Sequence, residues 1–138
     1  MTLVREAMVP EPRTLDADAT AQEAGELLLR PEVRAVFVCE AERLVGVVTR
    51  KTLVREVVAA GRDPRSTPVA EIVEPPNHTV PGHMDVDEAY RFLEEHDLER
   101  VPVTEEGRLV GVLSRSVLQR RLAEDEPPSE EGEEGTPA

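Results

Sequence analysis

The chain has almost no aromatic residues. Of 138 residues only Phe37, Tyr90 and Phe92 are aromatic, and there is no Trp. A core here rests on Val, Leu, Ile and Ala instead of large rings. Cysteine is limited to Cys39, which excludes an internal disulfide and suits a reducing compartment. No apolar run approaches the roughly 20 residues of a membrane-spanning helix. The N-terminus lacks the basic start and continuous apolar stretch of a signal peptide. The expectation is a soluble, cytoplasmic protein with no membrane partner.

Positive charge is also scarce. Sixteen bases, Lys51 the one lysine among them, face 29 acids for a net charge of −13. Seven of the acids lie after Ala123, which leaves residues 1–123 with 22 acids against 16 bases, a net of −6. That body has no basic face for a phosphate backbone, so nucleic acid is excluded as an expected partner. Residues 124–138 have the composition of a disordered acidic tail.

What the sequence does contain is a repeat. A shift of 65 aligns residues 4–57 with 69–122 without a gap, with 18 identities in 54 positions. The densest match sets Arg43-Leu44-Val45-Gly46-Val47 against Arg108-Leu109-Val110-Gly111-Val112. Self-similarity at this level means one structural unit used twice. The expected boundaries are repeat 1 at 1–61, a linker at 62–68 (Arg62-Asp63-Pro64-Arg65-Ser66-Thr67-Pro68), repeat 2 at 69–123 and the tail at 124–138.

Each copy reads in the same order. A short lead helix covers about 2–7 and 68–73, and a brief extended segment follows at Thr14-Leu15 and Thr79-Val80. Thr20-Ala21-Gln22-Glu23 is a capping-box pattern, and Asp85-Val86-Asp87-Glu88 is its acidic counterpart. Ala21, Ala24, Leu27 and Leu28 then recur at helical spacing, as do Val86, Ala89, Phe92 and Leu93. Two strands come next, Ala35–Cys39 with Leu44–Val48 and Val101–Val103 with Leu109–Leu113. Pro102 has no N–H for a ladder, so it belongs at an edge or a cleft. A last helix starts at Thr49 or Ser114, and Gly61 ends the first of these. A 60-residue unit is marginal alone, so two copies are expected to share buried surface.

The chemistry concentrates where the second of these strands meets the last helix. Free N–H groups at a helix start favour an anion. Thr49 and Ser114 are also good N-caps with or without a ligand. Gly46 and Gly111 allow close packing of a helix on the strand. His78, His83 and His96 invite a metal reading, but His78 and His83 lie in a Pro/Gly loop with no recognised metal-ligand spacing, so no metal is expected. Cys39 sits on an apolar strand as a core thiol. No pair of carboxylates has catalytic spacing, and the chain is not expected to be an enzyme.

Met8-Val9-Pro10, the strands at Thr14 and Thr79, Arg100-Val101-Pro102-Val103 and the two Gly-x-x-Ser/Thr junctions together resemble tandem CBS domains, a pair also called a Bateman module. The resemblance spans residues 2–123. It implies an α+β fold of two pseudo-symmetric repeats, each helix-strand-helix-strand-strand-helix, packed through their sheets. It also implies clefts between the repeats that take AMP, ADP, ATP or S-adenosylmethionine as regulatory ligands. Modules of this kind form homodimers and act on a regulated partner protein.

Carried over position by position, the resemblance offers Thr14, Ala35, Val36, Phe37, Thr49, Arg50 and Thr52 around the first junction. Around the second it offers Thr79, Arg100, Val101, Pro102, Ser114 and Arg115. The family junction resembles Gly-x-x-Thr/Ser-x-x-Asp, with the Asp receiving both ribose hydroxyls. Here that position holds Thr52 and Val117. A carboxylate takes two charge-assisted bonds, a threonine one weaker bond and a valine none. The first junction is therefore expected to be the better site. Two readings follow: a regulatory nucleotide-binding module, or a structural dimerisation module with degenerate sites.

Overall fold

A computed structural model describes residues 1–125. The elements run α1 (Val4–Ala7), β1 (Val9–Pro10), β2 (Thr14–Asp16), α2 (Ala21–Leu27), β3 (Val36–Glu40), β4 (Arg43–Val48) and α3 (Arg50–Leu53). A π-helical segment (Val54–Val58) continues α3, and a 3-10 turn (Val69–Glu71) opens the second copy. Then come β5 (Val80–Pro81), α4 (Val86–Glu95), β6 (Arg100–Glu105), β7 (Arg108–Ser114) and α5 (Arg115–Asp125). The acidic stretch from 126 onward lies outside the described residues.

Local chemistry explains the boundaries. Thr20 Oγ1 accepts from the Glu23 amide at 3.2 Å and starts α2. Asp85 Oδ1 accepts from the Asp87 amide at 2.8 Å and starts α4. Each satisfies one of the free donors of a first helical turn. Gly107, at φ +82°, closes the β6–β7 turn in the left-handed region that favours glycine.

In each repeat a hairpin takes a short parallel strand on its outer edge. β2 pairs with β3 and β3 with β4, while β5 pairs with β6 and β6 with β7. The hairpin tips meet at Arg43 and Arg108, giving one mixed sheet in the order β2-β3-β4-β7-β6-β5. Leu44 N donates to Gly107 O at 3.1 Å and Leu109 N to Glu42 O at 3.3 Å across that join.

The lead segments are exchanged between the repeats. Val4 N donates to Met84 O at 2.8 Å, Arg5 N to Gly82 O at 2.9 Å, and Val86 N to Thr2 O at 3.0 Å. The same three bonds recur 65 positions on: Val69 N to Ala19 O at 2.7 Å, Ala70 N to Ala17 O at 3.0 Å, and Ala21 N to Thr67 O at 2.8 Å. The two cores follow this exchange. Val69 and Ile72 are buried with Ala24, Leu28, Val36 and Val48 of the first repeat. Val4 is buried with Leu93, Val101, Leu113 and Leu118 of the second. Full burial of each such side chain contributes about 1.5–3 kcal/mol. Covalent order and packing unit thus differ.

The mid-strand glycines serve this exchange. A Cβ on Gly46 would stand 2.6 Å from Glu74 O, and one on Gly111 would stand 2.9 Å from Val9 O. The close approach is by the exchanged segment of the other copy, where the sequence suggested a helix packing on the strand. β1 pairs with β7 at Val9–Val112 and Pro10–Gly111, and Val47 bridges to Glu74.

Candidate functional site

Residues of both hairpins and of the exchanged segments line an open cleft of about 650 Å³. Phe37 and Val47 of the first repeat and Pro102 and Val112 of the second all line it. Loops carrying Pro12, Arg13, Arg34, Pro75, Pro76, Asn77 and His78 also line it. The lining includes Arg13, Arg34 and Arg100 with Glu32 and Glu74, so it mixes both signs with a small positive excess. His78 stacks on His96 with ring centroids 4.5 Å apart and meets Phe92 edge-on at 5.5 Å.

Six of the expected site residues border this cleft: Ala35, Phe37, Arg100, Val101, Pro102 and Ser114. Pro102, in β6 between β5 and β7, is among the residues that line the cleft. The others are placed elsewhere. Val36 is fully buried in the core. Thr14, in β2, and Thr79, just before β5, are exposed and are not among the residues that line the cleft. Arg50 folds back, its guanidinium donating to the Leu28 and Arg30 carbonyls at the end of α2. Arg115 lies 3.6 Å from Asp97 and 3.8 Å from Glu99.

The first junction is closed on itself. Thr49 Oγ1 accepts from the Thr52 amide at 3.3 Å, and Thr52 Oγ1 accepts from the Thr49 amide at 3.0 Å. The two hydroxyls share a further 3.0 Å bond, and Thr52 is completely buried. This is a reciprocal capping box built from two threonines. The polar set expected to favour the first junction is therefore spent on the helix start, and Thr49, Arg50 and Thr52 do not line the cleft. At the second junction Ser114, Ser116 and Val117 do.

Glu99 marks the start of α5. Its carboxylate accepts from the Ser116 amide at 3.4 Å and the Ser114 hydroxyl at 3.5 Å. Bonding to the Ser116 hydroxyl and amide, with the positive charges of Arg115 and Arg100, holds its carboxyl below the usual range despite slight desolvation. Cys39 is buried in β3, and burial, with the nearby Asp16 carboxylate, pushes its thiol up. The sequence did not single out Arg13, Arg34 or Glu99, and it weighed His78 only as a metal ligand and not as a cleft residue. The repeat alignment pairs Arg13 with His78 and Arg34 with Glu99, and both pairs flank the strands it had singled out.

A family model for the CBS domain matches residues 4–59 and again 69–124. The chain belongs to the CBS-domain family. Its tandem CBS repeats are 29% identical over 125 residues to hypoxic response protein 1 of Mycobacterium tuberculosis, covering 90% of this chain and 87% of that protein. A solved structure of hypoxic response protein I, with two coordinated zinc ions, matches at 28% identity and a TM-score of 0.75, covering 88% of this chain and 99% of that one. CBSX2 in complex with AMP matches in fold at 23% identity and a TM-score of 0.73, covering 90% and 98%. Among the described residues of this CBS pair no group of three or more His, Cys, Asp or Glu is placed to hold a metal. No helix among them is long and apolar enough to cross a membrane.

Proposed function

We propose that this tandem CBS pair is a regulatory module, not an enzyme, that binds an adenosine-type ligand in the cleft shared by its repeats. The observation that carries the reading is the cleft itself, lined by Phe37 and Val47 of the first repeat and by Pro102 and Val112 of the second. A largely apolar cleft with a few polar groups suits a purine base. Ala35, Phe37, Arg100, Pro102 and Ser114 are the proposed contacts, with Arg13 and Arg34 added. CBSX2, of the same fold, carries AMP, which makes AMP the first compound to test. The ligand biases the relative placement of the two repeats, or of two modules in a homodimer, and a partner protein reads that change. It can do so only by its differential affinity for the two arrangements.

A thermal-shift panel of AMP, ADP, ATP, NADH and S-adenosylmethionine tests this. Ligand at 100 times its dissociation constant stabilises by about 2.7 kcal/mol. The absence of a shift with every compound at millimolar concentration refutes the reading.

A second reading is a structural dimerisation module without a ligand. It is favoured by the closed Thr49–Thr52 junction and by Val54, Val58 and Leu29, which are 58%, 72% and 79% exposed. Sedimentation that shows a stable dimer, together with a blank ligand panel, selects this alternative.

A further inference from the structure

Three arginines in the cleft have no carboxylate partner. Arg13, Arg34 and Arg100 line it from three separate segments. Among the described residues none of the three makes an ion pair. The acids in the same lining are Glu32 and Glu74, and Glu74 is engaged by Arg55 at 3.6 Å. Three unpaired arginines therefore share the lining with one unpaired carboxylate, Glu32. The charge of Arg100 also reaches Glu99, which lies outside the lining and is held by Ser114, Ser116 and Arg115. Arg13 and Arg34 are thus the freer pair. The cleft is a locally positive place on a body, residues 1–123, that is net negative.

The chain carries its own complement to that charge. Residues 126–138, outside the described residues, contain Glu126, Glu130, Glu131, Glu133 and Glu134 and no base. Pro127, Pro128 and Pro137 add apolar surface suited to the Phe37 and Pro102 lining. The reach is sufficient. α5 begins at the cleft, where Ser114, Ser116 and Val117 line it. Its 11 residues carry the chain about 16 Å along the helix axis. The residues beyond it span up to about 43 Å when extended. A tether of this kind holds the segment at an effective concentration of about millimolar, so weak exposed ion pairs are enough to seat it. The rest of the net-negative body repels it.

We propose that the acidic segment 126–138 docks in the cleft of its own chain, with its glutamates on Arg13, Arg34 and Arg100. It is a built-in competitor: an anionic ligand of any class has to displace it from those guanidiniums. The contact exists without any ligand, so the inference stands or falls apart from the nucleotide reading above. Arg120 and Arg121, on α5 itself, are the nearer alternative for the same glutamates.

The test places a nitroxide spin label on the full chain at Thr136→Cys, with Cys39→Ala so that one thiol is labelled, and reads amide broadening by NMR. The Phe37, Val47, Asn77 and Val112 amides report on the cleft, and those of Arg120 and Arg121 on the alternative. The control is the same label on a chain with Glu126, Glu130, Glu131, Glu133 and Glu134 all changed to Gln. At low salt the cleft amides are expected to broaden with the native segment and to sharpen in the Gln control. They should also sharpen in Arg13→Gln/Arg34→Gln and in 1 M NaCl, where the screening length falls to about 3 Å. Cleft amides that stay sharp with the native segment, or broaden equally in the Gln control, overturn the proposal. So does broadening confined to Arg120 and Arg121, or broadening that persists in the double arginine variant or in high salt. A mixture of spin-labelled chains with unlabelled, isotope-enriched chains completes the test: broadened cleft amides there assign the contact to another copy and overturn docking within one chain.

Discussion

Val47 and Glu74 exchange two backbone hydrogen bonds, each 2.9 Å, although they belong to different repeats. Both residues also border the cleft. The bridge closes over Gly46, whose missing Cβ leaves room for the Glu74 carbonyl. Gly46→Ala forces that carbonyl back and strains the bridge. A loss of roughly 1–3 kcal/mol is expected, typical of overpacking at a site that cannot yield. Urea unfolding measures it. A variant as stable as the parent shows that the 73–74 segment moves freely.

The exchanged lead segments make a sharper prediction. Val4 stands at the start of the first repeat in sequence, yet it is fully buried among Leu93, Val101 and Leu118. Val4→Ala should cost roughly 1–3 kcal/mol through the cavity it leaves. Amide exchange should quicken first in α4 and β6 of the second repeat. Faster exchange confined to α2 and β3 contradicts the exchange of segments.

This explains which parts of the fold were legible beforehand. The capping residues Thr20 and Asp85, the hairpins and the junction helices follow from local spacing and chemistry, and the 65-residue repeat exposes them twice. The exchange is not local. Val4 and Val69 are identical in sequence, so nothing in the pattern says which core each enters. The site was less legible for a similar reason. Thr49 and Thr52 have the right chemistry for a ligand, but they satisfy each other, and only coordinates show a hydroxyl's partner. Arg50 is a phosphate candidate by position and a cap on the Leu28 and Arg30 carbonyls by geometry.

The missing ribose carboxylate can be restored at one junction and not at the other. Val117 borders the cleft, while Thr52 is buried against Thr49. Under the nucleoside-binding reading, Val117→Asp should tighten adenosine binding by about tenfold, the gain from a charge-assisted partner for hydroxyls that otherwise lack one. Thr52→Asp should leave affinity unchanged, because its carboxylate meets the helix start. Calorimetry compares the two. Equal gains, or a gain only at Thr52, overturn the assignment of Val117 to the ribose.

Cys39 should behave as a protected core thiol. Burial raises its pKa, with Asp16 adding to the shift, so the reactive thiolate is scarce at neutral pH. Alkylation by iodoacetamide should be slow in the folded protein and should rise to the rate of a free thiol in denaturant. Rapid labelling under native conditions contradicts a buried β3.

Glu99 gives stability a pH dependence of predictable sign. Its carboxyl is held below the usual range chiefly by the Ser116 hydroxyl, then by the Ser116 amide and the charges of Arg115 and Arg100. A depressed folded pKa contributes stability that is fully present above the unfolded value, about 4.3 for a glutamate. That contribution fades as pH falls through the lower folded value. The side chain is half exposed, so solvent and salt keep the effect small. Glu99→Gln should therefore be slightly less stable than the parent at pH 7, and the gap should close below about pH 4. Urea midpoints at pH 7, 5 and 3.5 measure the gap. A gap that stays constant across that range shows that the ionised carboxylate contributes nothing at the start of α5, and that Glu99 is held there by its backbone bond to Arg115 alone.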